Sequence, residues 1–338
     1  MNRKELDAFV AHYGLAPADV AVALELASAR PSTSDLARFA VRLLKLAGVL
    51  SLAAGLVFFV AANWEALAVL GRFVLVEAVL VLSVAIALWR PPPDALGRYA
   101  LLLAFIATGA LLALFGQTYQ TGADVYELFL TWALLGIFLA VAGQWSATWA
   151  AWVLVLNVAL WLYCAWQPQS GWLWLLFGAW GSSGSALLLV PMIINVLLWL
   201  ATVYLERGRF AALAPAWLGR FVLACAVGFG TWAGGFAIVG SGPEVDNTSG
   251  DVLTVIIVLG LLAAIAAFTL RQRRDVFPLA LVAASLIVLS TTALARFIDF
   301  DEIGIFFLLS LWLIASSTFS GRLLMRVVRA WRLETGTR

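Results

Sequence analysis

The chain has 338 residues, of which 64% are hydrophobic and only 12% charged, and its mean hydropathy is +1.00. Soluble domains carry roughly 45–50% apolar and about 25% charged residues, so this composition excludes an ordinary water-soluble fold. One histidine and two cysteines, with Cys164 and Cys225 both in apolar runs, argue against a metal centre, a redox cofactor or a disulfide framework, and a net charge of +2 gives no ground for nucleic-acid binding.

Residues 1–42 read as a small helical section, expected in the cytoplasm. RKELDAFVAHYGLAP sets Leu6, Phe9, Val10 and Tyr13 at helical spacing. Pro17 is placed to open a second helix, ADVAVALELASA, which Pro31 ends. Ser34 can cap a third helix that runs straight into the apolar region. The first strong apolar run begins only near Leu46, so no cleavable secretory signal is expected. About forty residues bury little core alone, so this section is expected to lean on the membrane part or on a partner chain.

A helix needs roughly 20 mostly apolar residues to cross a hydrocarbon layer of about 30 Å. Ten segments meet that need: 44–62, 67–89, 98–115, 127–143, 148–166, 184–204, 218–239, 252–270, 276–295 and 303–320. The fold class is therefore an all-α polytopic membrane protein, with 43–320 as its transmembrane domain and 321–338 as a basic cytoplasmic tail. GWLWLLFGAWG, 171–181, is too short to cross and rich in tryptophan; it reads as interfacial or re-entrant, with a distorted extra span as the alternative. With both ends inside, every basic residue except Arg72 and Arg296 falls on the inner side, and the outer loops collect acids such as Glu65, Asp124, Glu127 and Asp299. That is the positive-inside pattern, here of a bacterial inner membrane. LGRFVL opens the second span at 70–75 and the seventh at 218–223. An inverted repeat would place it so, and so would chance recurrence of common membrane letters.

Polar residues are scarce enough to take one by one. GQTYQTGADVYELF, 116–129, lies between two apolar runs and offers Gln117, Tyr119, Gln120, Asp124 and Glu127. Asp124 and Glu127 have the spacing of a capping box on the fourth helix. Capping does not account for the glutamines and tyrosines, which can line a polar cup for a ligand or an ion. Arg72 and Glu77 both fall in the second span. Arg72 is near its outer end and can snorkel to the headgroups, whereas Glu77 lies deeper, where a carboxylate needs a partner or water. Asn157 and Asn195 are uncharged polar groups in apolar helices and suit interhelical hydrogen bonding. Pro191, four residues before Asn195, marks a place where the sixth helix can break. The tail GRLLMRVVRAWRLETGTR is partly amphipathic and can lie on an anionic leaflet.

FFVAANWEALAVLGRF near 58–73 and GQTYQTGADVYELFLTWALL carry a family likeness. In Asn63 and Trp64, and in Gly116, Gln117, Tyr119, Gln120, Gly122 and Asp124, the chain resembles the domain of unknown function 2157 family of predicted bacterial integral membrane proteins. The likeness covers the N-terminal section and about the first five spans. It implies the membrane class and draws attention to the 116–124 turn, and it implies no substrate, cofactor or catalytic role.

Three functional readings follow. The first is a membrane protein that binds, or transports, a small polar or ionic ligand through an outward-facing site, with Glu77 and Asn195 deeper in the layer. The second is a structural or sensory protein whose N-terminal section takes a cytoplasmic partner, or which assembles as a homo-oligomer. The third is a membrane enzyme acting on lipid or envelope material with Asp124 or Glu127 as base. It ranks last because the sequence holds no HExxH, GxSxG or phosphate-loop motif.

Overall fold

The structure, a computed structural model, describes residues 33–120, 122–166, 184–206, 214–240, 248–296 and 304–336, together with His12, Gly14, Ala16, Asp19 and Gly208. The first two N-terminal helices expected from the sequence, the 171–181 segment and the acidic turn at 298–303 lie outside the described residues, apart from His12, Gly14, Ala16 and Asp19.

Among the described residues, ten helices are long and apolar enough to cross a membrane. They are α1 Thr33–Ala62, α2 Val69–Trp89, α3 Ala95–Tyr119, α4 Val125–Gly143, α5 Ser146–Trp166, α6 Leu189–Glu206, α7 Ala216–Val239, α8 Thr248–Phe268, α9 Val276–Arg296 and α10 Gly304–Gly336. A short turn of helix, Gly184–Leu187, leads into α6, and a π-helical turn, Thr269–Arg273, closes α8. The ten expected spans all appear. Three differ instructively. α1 begins at Thr33, so Ser34 lies inside its first turn and the helix runs through residue 42 into the apolar stretch. α3 runs on to Tyr119, taking Gly116–Tyr119 out of the turn. α10 does not stop near residue 320; it continues unbroken to Gly336, so the basic tail is a direct extension of the last helix.

The chain divides into two compact units, Met1–Ala110 and Leu111–Arg338. In the first, Tyr99 donates to the Arg42 carbonyl at 3.3 Å, linking α3 to α1. Asp94 accepts from the Leu96 N–H at 2.8 Å, starting α3 as an N-cap. A methyl group at Gly97 would strike the Arg90 carbonyl, so only glycine fits that approach.

In the second unit α4 and α5 form an antiparallel pair. Tyr126, Leu130, Ala133, Gly136, Ala140 and Gly143 recur every three or four residues and are buried along one face of α4. The small members let α5 approach, and the Trp152 indole donates to the Ala133 carbonyl at 2.8 Å. α7 is the hub, packed on α5, α6, α8 and α9. Its buried face is rich in small residues, among them Gly219, Ala226, Gly230, Ala233, Gly234 and Ala237. Small residues let helices pack closely where no water drives association. The core around it contains Met192, Trp199, Leu223, Val258 and Leu289. At one end, Arg273 pairs with Glu206, and Arg220 pairs with Asp275 at 3.2 Å.

Candidate functional site

The polar stretch between α3 and α4 condenses to a five-residue connection, 120–124. Gln120 ends α3 with φ 44°, and Gly122 follows with φ 67°. Left-handed backbone is the ordinary close of a helix, and glycine is its ordinary occupant. A glutamine there carries a backbone cost of roughly 1–2 kcal/mol. Gln117, Tyr119 and Gln120 are exposed, and the Tyr119 ring lies 4.8 Å from that of Phe115. The Thr118 hydroxyl is buried with no hydrogen-bond partner among the described residues.

Asp124 occupies the N-cap position of α4 with extended backbone, yet its side chain makes no capping hydrogen bond. Only its carbonyl is used, accepting from the Glu127 N–H at 2.9 Å. The capping box suggested by the spacing is therefore not formed. Both acids are half-buried. Glu127 is held by Tyr126, whose hydroxyl donates to Oε1 at 3.3 Å. Tyr126 itself is 2% exposed and meets the Tyr163 ring edge-on at 5.3 Å. Tyr126, one of the two tyrosines expected to line a polar cup, is buried and heads the stripe Tyr126, Leu130, Ala133 on α4. No group of three or more His, Cys, Asp or Glu able to hold a metal occurs among the described residues.

The remaining candidates have separate settings. Arg72 is spent locally. Its Nε donates to the Leu67 carbonyl at 3.0 Å, another nitrogen donates to the Trp64 carbonyl, and the guanidinium lies 3.8 Å from the centre of the Trp64 ring. Asn63 donates to the Phe59 carbonyl at 2.8 Å, closing the end of α1. The AANWEALAVLGR stretch is thus a self-fastened turn, and Arg72 fastens it. Glu77 is exposed on α2.

Asn195 is fully buried and bonds Asn157 reciprocally, donating at 2.7 Å and accepting at 3.1 Å. Each amide also donates to the carbonyl four residues earlier, Pro191 and Val153 respectively, at 2.8 Å. The helix breaks two turns before Asn195, at Leu188. Pro191 has no N–H to offer the Leu187 carbonyl, and the Cys164 thiol stands 3.8 Å from that oxygen. Near the same break, the Ser185 hydroxyl meets Asp251 at 2.5 Å.

Residues 8–149 match the family model described as Predicted membrane protein (DUF2157). The match takes in both the Asn63–Trp64 turn and the Gln117–Asp124 connection, and it upholds the resemblance carried by those motifs. Neither curated proteins nor solved structures yield a match to the chain.

Proposed function

We propose that the chain is an inner-membrane protein that binds a small polar or cationic solute at the α3–α4 connection, on the outer face, with both termini in the cytoplasm. The observation that carries the reading is the Asp124 carboxylate, which is left without a capping hydrogen bond among the described residues. It stands at a helix start, where such a group ordinarily caps, and makes no cap hydrogen bond. Three residues on, Glu127 accepts from the Tyr126 hydroxyl. Two half-buried carboxylates, close in the chain to exposed Gln117, Tyr119 and Gln120, would offer charge, amide acceptors and an aromatic face to a cation or a polar solute. The outward placing draws its support from the distribution of basic residues, with only Arg72 and Arg296 on the far side. The LGRFVL openings of α2 and α7 suit a five-plus-five inverted arrangement within this reading.

The test is a thermal-shift panel on the purified chain with ammonium, alkali and organic cations, amino acids and neutral polyols. The reading expects at least one cationic or polar solute to raise the melting temperature, and expects Asp124→Asn and Glu127→Gln each to remove that rise. A panel with no response, or a response that survives both substitutions, overturns it.

A further inference from the structure

The second unit carries an apolar groove whose chemistry changes at one end. It runs between α9 and α10, with a volume of about 680 Å³, and its walls include Leu270, Leu279, Ser290, Trp312, Phe319 and Val327. The Trp312 indole donates to the Ser290 hydroxyl at 3.2 Å and marks one end. From Trp312 to Val327 the groove follows fifteen residues of α10, about 22 Å at 1.5 Å per residue. That exceeds the roughly 15 Å depth of one leaflet's hydrocarbon.

At the other end stand arginines. Arg322, Arg326 and Arg329 are spaced four and three apart, so they share one face of α10, and all three are exposed. Arg322 stands seven residues after the groove-lining Ala315 and Arg326 seven after the groove-lining Phe319, two turns on along the same edge of the groove, and exposed Arg271 follows the groove-lining Leu270 in the chain. For an upright α10 entering the hydrocarbon at Gly304, Arg322 lies about 27 Å along the axis and Arg329 about 37 Å. The hydrocarbon layer ends near 30 Å and the headgroup zone some 5–7 Å beyond. Arg326 and Arg329 therefore fall at the depth of lipid phosphates, Arg322 lies just below it within snorkelling reach, and the groove from Trp312 to Leu324 lies at the depth of acyl chains. The unbroken helix is what sets this register, since a tail lying flat would carry its guanidinium groups away from the groove.

We propose that this groove is a binding site for one anionic phospholipid, with an acyl chain between α9 and α10 and the phosphate and acidic headgroup at Arg326, Arg322 and Arg271. A guanidinium offers a fork of donors that matches a phosphate. Placing the lipid in the inner leaflet rests on the orientation proposed above. Binding itself does not, and it is read in detergent, where there are no sides, so the two readings fail separately.

The experiment is native mass spectrometry of the full chain in detergent, titrated with phosphatidylglycerol or phosphatidylcholine of identical acyl chains. The wild type should retain phosphatidylglycerol in preference, and Arg322→Gln and Arg326→Gln should each weaken that retention roughly fivefold, the worth of one guanidinium near a headgroup surface. Arg326→Lys should restore part of it. Ala315→Trp, which fills the groove, should lower retention of both lipids with the arginines intact. Equal retention of the two lipids by the wild type overturns the proposal, as does full retention by the glutamine variants. So does a stable dimer that Ala315→Trp converts to monomer without changing lipid retention, because a second copy would then occupy the groove.

Discussion

Asn157 on α5 and Asn195 on α6 hold each other through two side-chain hydrogen bonds, 3.1 and 2.7 Å long, with almost no exposure to the surroundings. Each is also tied to its own helix, so the pair fixes the register of one helix on the other. Asn195→Leu alone strands the Asn157 amide and should cost about 1–2 kcal/mol. Asn157→Leu with Asn195→Leu leaves no orphan and should recover most of that loss. Unfolding in a denaturing detergent, run as a double-mutant cycle, reads the coupling; additive losses would remove the pair's special standing.

The hub helix α7 depends on absent side chains. A methyl at Gly230 would lie 2.6 Å from Met192 Sδ, and one at Gly234 would lie 2.8 Å from a Leu289 methyl. Gly234→Ala and Gly230→Val should therefore destabilise by about 1–3 kcal/mol. Met192→Ala should rescue Gly230→Val in part. Gly228→Ala and Gly235→Ala, on the same helix with nothing within 4 Å, should be neutral or slightly stabilising. Melting temperatures of the five variants check this.

Gln120 sits at φ 44° in the candidate site, and Gln144 sits at φ 45° at the end of α4. Both pay for a left-handed backbone that glycine adopts freely. Gln120→Gly and Gln144→Gly should each stabilise by up to about 1 kcal/mol. Only Gln120→Gly should weaken the solute response, because only that position lies in the site. If Gln120→Gly left solute binding untouched, the side chain would have no part in it.

Asp124 and Tyr126 separate stability from binding. An N-cap aspartate that bonds its helix loses about 0.5–2 kcal/mol on truncation. Asp124 makes no such bond, so Asp124→Ala should fall below that range while abolishing solute binding. Tyr126→Phe keeps the ring against Tyr163 and removes the hydroxyl on Glu127. It should preserve the fold and weaken binding less than Asp124→Ala. A large stability loss in Asp124→Ala would return that residue to a capping role.

The membrane fold was legible because burial in lipid writes itself as length and hydropathy, and all ten helices carry that mark. Helix ends were harder. The Gln117 and Tyr119 side chains look like loop material, yet the backbone keeps its helical bonds until Gln120. Likewise Arg322–Arg329 look like a new segment, although charge does not stop a helix that has left the hydrocarbon. Asn157 and Asn195 were recognisable as bonding groups because a buried amide must find a partner, but that they would find each other required the crossing of α5 and α6. The setting of Arg72 was hidden for the opposite reason. Its partners are backbone carbonyls at Trp64 and Leu67, which no side-chain pattern announces. Tyr126 was legible as a tyrosine of the polar stretch, whereas its burial and its bond to Glu127 depend on how the first turn of α4 faces Tyr163.

The central claim is that the Gln120 connection and the arginine face of α10 lie on opposite sides of the membrane. Membrane-impermeant thiol labelling tests it directly, with Gln120→Cys and Ala330→Cys made separately in a Cys164→Ala, Cys225→Ala background. In intact spheroplasts the account predicts labelling at position 120 at once and at position 330 only after permeabilisation. Labelling of both positions before permeabilisation, or of position 330 alone, would contradict it.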